Sequence, residues 1–172
     1  MFKAGMLRSI GLTISIVGAI CAQTPQPTPA DLPAVSIERR REAMERLLEG
    51  QRFLLASYNL RSEAAVVSTT GRARESFLKA VELDPSLAEA YTALAEIAVS
   101  TPPNDIGEAI KYAHAAVRVD GRNFGGRRLL ARLYTIRARG ADGKFDAGTS
   151  ALAIANWLEV TKLDPRNAEA WA

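Results

Sequence analysis

From Ser36 onward apolar residues recur at helical spacing, through Ile37, Met44, Leu47, Leu48, Leu54, Leu55 and Tyr58. Ser36 is placed to cap this helix, with Glu38 in its first turn, and the pattern runs to about Arg61 with Gly50 as a point where it could kink. Ser68-Thr69-Thr70-Gly71 then reads as a break, and a second helix is predicted from about Arg72 to Leu83. Two start signals lie further on, Ser86-x-x-Glu89 and Asp105-x-x-Glu108. In each, a cap side chain and an N3 carboxylate are spaced to satisfy the free amides of a helix N-terminus. With alanine, the best helix former, abundant along the chain, the expected fold class is all-α.

Self-similarity orders these helices. Ala80-Val81-Glu82-Leu83-Asp84-Pro85 recurs as Ala116-Val117-Arg118-Val119-Asp120-Gly121 and as Val160-Thr161-Lys162-Leu163-Asp164-Pro165. The residues just beyond the first and third copies also correspond, Leu87-Ala88-Glu89-Ala90-Tyr91 matching Asn167-Ala168-Glu169-Ala170-Trp171. Upstream of each ending lies a row of small and bulky residues: Ala73, Phe77 and Ala80, then Ala109, Ala113 and Ala116, then Ala153, Trp157 and Val160. The intervening helices carry Tyr91, Leu94, Ala95 and Ala98, and Leu130, Ala131 and Tyr134. Small residues let two helices of a hairpin touch, larger ones fill the space before the next hairpin, and Pro or Gly stops each second helix.

This pattern resembles the tetratricopeptide repeat, which builds two antiparallel helices per unit of about 34 residues. The resemblance implies antiparallel helical hairpins stacked as a short α-solenoid over 36–172. Its units are expected at about 54–87, 88–123 and 124–167, with the start of a fourth at 168–172. Extra residues relative to the repeat fall at Thr101–Asn104 and across Arg139 to Thr149. On this frame Leu152, Ile154 and Leu158 lie on an uncovered edge, which would favour self-association, and the array is expected to continue in a longer chain.

The resemblance also implies that the first helices of successive units line a concave groove that holds a peptide or partner protein. The matching positions are Glu89, Thr92 and Glu96 in one unit and Arg128, Arg132 and Thr135 in the next. Arg128 and Arg132 are one helical turn apart and resemble one half of a clamp for a peptide carboxylate. The Lys and Asn of the other half have no match, Thr92 standing at one such place.

The chain's start reads as an export address. Lys3 and Arg8 precede an uncharged apolar run from Ile10 to Ala22, shorter than the roughly 20 residues a spanning helix needs. Residues 1–22 are therefore expected to be a secretory signal peptide, and 23–35, with Pro25, Pro27, Pro29 and Pro33, a linker that cannot form helix. Cys21, the single cysteine, offers lipid anchoring as the alternative address, although Ile20 stands where a small residue is expected before a lipidated cysteine. The formal net charge of +3 shrinks when Lys3 and Arg8 leave with the leader, so bulk charge gives no reason to expect a nucleic-acid partner. At 48% hydrophobic and 24% charged, the chain has the balance of a packed domain.

Residues able to carry chemistry are sparse. His114 is the single histidine and lies between two alanines, where no cysteine or carboxylate pair adjoins it. Ser68, Thr69 and Thr70 lack a base and read as turn residues. Gly121, Gly125 and Gly126 are not followed by the Lys and Ser/Thr of a phosphate loop. Asp142 and Asp146 lack the alternating oxygen ligands of a calcium loop. The expectation is no enzyme, no metal and no cofactor, but an exported, periplasmic or secreted protein-binding scaffold. Two alternatives stay open: the repeat portion of a larger exported enzyme or secretion and envelope-assembly component, and an arginine stripe that binds an anionic polymer. N-terminal sequencing of the exported protein should read Gln23-Thr24-Pro25, and a retained Met1 would end the cleavage expectation.

Overall fold

The structure, a computed structural model, describes residues 34–140 and 143–171. The expected leader, Cys21, most of the proline-rich linker, Asp142 and Ala172 lie outside the described residues. Within them the chain is all-helical: α1 (Ile37–Ser57), α2 (Glu63–Leu83), α3 (Ala88–Ser100), α4 (Ile106–Val119), α5 (Phe124–Ala138), α6 (Ala147–Leu163) and a closing 3-10 turn (Ala168–Trp171). The helices pair as the hairpins α1/α2, α3/α4 and α5/α6, and each hairpin packs on the next through α2 on α3 and α4 on α5. The first pair begins at Ile37, well before the Leu54 start that repeat spacing suggests.

Most helices open on a side-chain cap. Ser36 accepts from the Arg39 amide, Ser62 from Ala65, Asp105 from Glu108, Asn123 from Gly126 and Asp146 from Thr149. The capping box at Ser86 does not form. Leu87 occupies the cap position of α3 without a side-chain bond, and the Ser86 hydroxyl instead donates to Asp84 Oδ1 at 2.6 Å. The second box forms by half: Asp105 accepts the Glu108 amide, while the Glu108 carboxylate pairs with Arg74 of the neighbouring hairpin.

Each second helix ends in the same construction. The amides of Asp84, Asp120 and Asp164 bond the carbonyls of Ala80, Ala116 and Val160, closing the last turn. The aspartate side chains accept the amides of Ser86, Arg122 and Arg166 at 3.0, 2.9 and 3.1 Å. Their own carbonyls accept from Leu87, Asn123 and Asn167. An aspartate that bonds its own backbone two residues on turns the chain tightly, and this redirects it into the next hairpin.

Sequence expectation and structure part at Ser68-Thr69-Thr70-Gly71. No break occurs; α2 starts at Glu63 and runs through all four residues. Thr70 is buried, and its hydroxyl donates back to the carbonyls of Val66 and Val67, so its polar group needs no loop. Local turn preference yields to packing of the α2 face on α1. Similarly α1 stops at Ser57, short of Arg61, and Asn59 and Leu60 fold back onto the carbonyls of Ala56 and Ser57.

The small and bulky row is the seam of each hairpin. Ala73, Phe77, Ala80, Ala109, Ala113, Ala116 and Val160 are fully buried, with Ala153 nearly so and Trp157 half-buried. At Gly50, α1 continues as helix, and a Cβ built there would lie 2.7 Å from the Phe77 ring. The absent side chain is what lets α1 and α2 close on that ring. The outer face of α6 stays open: Ile154 is 60% exposed, where Ile110, at the matching place on α4, is 8% exposed beneath the following hairpin.

Alanine normally improves a helix over glycine by up to about 1 kcal/mol. At Gly50 the clash with a fully buried ring outweighs this, so Gly50→Ala should destabilise by on the order of 1–2 kcal/mol. Chemical denaturation checks it, and in a Phe77→Leu background the Gly50→Ala penalty should disappear.

Candidate partner-binding groove

The first helices of the hairpins share one side of the molecule. A cleft of about 350 Å³ opens there, lined by Gln51 and Leu54 of α1, Glu89, Thr92 and Glu96 of α3, and Gly125 of α5. Three residues singled out from sequence, Glu89, Thr92 and Glu96, therefore meet in one place. Gln51, Leu54 and Gly125 were not expected there, nor was Asn123 beside them. Gln51 could have been found as a polar interruption between Leu48 and Leu55, but Asn123 and Gly125 depend on how α3 and α5 cross.

That crossing is tight. A Cβ at Gly125 would stand 2.7 Å from Thr92 Cγ2, so glycine allows the start of α5 to approach α3. The Thr92 hydroxyl lies 3.1 Å from the Ala88 carbonyl and 2.9 Å from Asn123 Oδ1, which also accepts the Gly126 amide at 2.7 Å. Thr92 thus ties α3 to the cap of α5 and is a wall of the cleft more than a free contact.

The two carboxylates differ. Glu89 is exposed. Glu96 is half-buried, and burial holds its carboxyl above the ordinary range, opposed in part by the Arg128 guanidinium. Arg128 and Arg132 project from α5, and both turn to Glu169 in the closing turn, with Nε to carboxylate distances of 3.7 and 3.1 Å. Thr135 is engaged elsewhere: its hydroxyl donates to the Ala131 carbonyl at 2.8 Å and accepts the Trp157 indole N–H at 3.3 Å, joining α5 to α6.

His114 is placed by packing. Its Nε2 lies 2.6 Å from the Tyr134 hydroxyl with the rings edge to face, linking α4 to α5. Burial lowers the imidazole pKa, and Arg118 and Arg127 push it the same way, while burial raises that of Tyr134. Asp146 serves as the cap of α6. Among the described residues no group of three or more His, Cys, Asp or Glu is arranged to hold a metal, and no helix is long and apolar enough to cross a membrane. Comparison with protein families and with curated proteins finds no match for the chain.

The raised Glu96 pKa has a signed consequence. The folded state holds that proton more tightly than the unfolded chain, so ionising Glu96 costs stability as pH rises above the ordinary carboxylate range of about 4. Glu96→Gln should therefore raise Tm at pH 7, and the gain should shrink towards zero near pH 4. Thermal melts at both pH values check this, and equal gains at both would contradict it.

Proposed function

We propose that this chain is an exported protein-binding scaffold of the tetratricopeptide kind, with its concave face on α1, α3 and α5 holding a peptide or partner protein. Three hairpins joined by one recurring aspartate turn support the repeat reading. The spacing of Lys3, Arg8 and the apolar run to Ala22 supports export. The groove reading rests above all on Arg128 and Arg132. Two guanidinium groups one turn apart converge on a single carboxylate, that of Glu169, at the end of the cleft-bearing face.

All three side chains are well exposed, so this contact is worth about 1 kcal/mol or less. A partner carboxylate that brings further contacts of its own outcompetes it. The arginine pair is therefore a carboxylate receptor held in readiness, and the preferred partner carries an acidic or C-terminal carboxylate at that end.

Arg128→Glu combined with Arg132→Glu reverses the charge of the receptor and should remove partners recovered with the chain from an extract of its native envelope. The variant should keep its helical circular dichroism, since both side chains are exposed. Recovery of the same partners at the same level would end the reading.

A further inference from the structure

The concave side continues beyond the cleft along α1. Gln51, which lines the cleft, stands one helical turn from Leu48 and Leu55 and two turns from Met44. Ile37 extends the same row towards the start of the helix. These four apolar side chains are 45%, 66%, 43% and 81% exposed respectively, in the order Leu48, Leu55, Met44, Ile37. The other side of α1, with Ala43, Leu47 and Gly50, is the buried one and faces α2. So α1 has two apolar sides, and its hairpin uses one.

Across the cleft from Gln51, the polar member of this helix side, lie Glu89 and Glu96 on α3, two turns apart. Among the described residues neither carboxylate makes a hydrogen bond or close ion pair, though the Arg128 guanidinium partly offsets Glu96, whereas Arg128 and Arg132 themselves converge on Glu169. This side thus passes from an apolar row, through the exposed Glu89 carboxylate and a Glu96 carboxylate that Arg128 offsets only in part, to the arginine pair on Glu169.

From this order we infer that the partner is an amphipathic helix with a basic flank, its apolar side seated along Met44, Leu48 and Leu55 and its Lys or Arg residues against Glu89 and Glu96. The inference rests on the groove reading above and specifies its occupant. A row with helical period on a straight helix is matched best by a second helix, which offers apolar groups at i, i+3 or i+4, and i+7. An extended peptide alternates sides every residue and could bring only scattered groups to such a row. The charges give the orientation, since a basic flank on the other side of the row would meet the exposed Arg41 and Arg52 of α1.

A display library of random 16-residue peptides selected on the whole chain tests this. The expected winners have a helical apolar row and Lys or Arg along one flank. Their affinity should fall roughly tenfold or more in Leu48→Asp with Leu55→Asp. It should fall by a smaller factor in Glu89→Lys. Both variants alter exposed side chains, and circular dichroism with thermal melts verifies that they fold. Winners without helical periodicity, or winners that bind the α1 variant undiminished, overturn the inference. Among those, peptides lost in Arg128→Glu with Arg132→Glu still uphold the groove reading. A selection that enriches nothing overturns both.

Discussion

Asp84, Asp120 and Asp164 each receive an amide from two residues ahead while their own amide closes the helix behind them. With one residue type the chain both ends a helix and fixes the direction of the next. Each such bond contributes about 1 kcal/mol, small beside the burial of an alanine-rich seam. Yet the seams depend on them, because α2 meets α3, and α4 meets α5, at the angle these turns set. Asp84 shows how far the molecule commits to this device. Its side chain is 1% exposed, and its charge is met by the Ser86 amide, the Ser86 hydroxyl and Arg40 at 3.5 Å. A carboxylate can be buried at tolerable cost only when so fully satisfied.

The seams then follow from side-chain size. Ala73, Ala80, Ala109, Ala113 and Ala116 put only a methyl group between the helices, and Gly50 goes one step further to admit Phe77. Packing this close leaves little room for rearrangement within a hairpin. The first helices are consequently free to turn their other sides to the cleft, where Gln51 and Leu54 of α1 meet Glu89, Thr92 and Glu96 of α3.

Much of this was legible in the sequence, for a physical reason. The helix ends at Asp84, Asp120 and Asp164 and the small-residue rows are local patterns, and their structural cause is local too. Glu89, Thr92 and Glu96 were singled out through the resemblance to the repeat, whose pattern implies which side of a first helix faces the groove. What could not be read depended on contacts between distant segments. Ser68-Thr69-Thr70-Gly71 has the composition of a turn, but Thr70 is buried with its hydroxyl bonded back along α2, and the segment stays helical. Ser86 has the spacing of a cap, but it belongs to the Asp84 turn and α3 begins one residue later, with Leu87 at its cap position. The roles of Asn123 and Gly125 exist only where α3 crosses α5, and the bond from the Trp157 indole to the Thr135 hydroxyl only where α5 meets α6.

The lengthened connection between α5 and α6 lies inside a hairpin and not between two of them. It is held shut at its base by the Asp146 amide on the Ala138 carbonyl and the Gly140 amide on the Lys144 carbonyl. Because the direction of each following hairpin is set at the opposite end, by the aspartate turns, growth at this tip has no lever on the rest of the stack. Length can accumulate there without altering the spacing of the cleft-bearing helices. The fold thus separates the ends of its hairpins into one that keeps register and one that is free to vary.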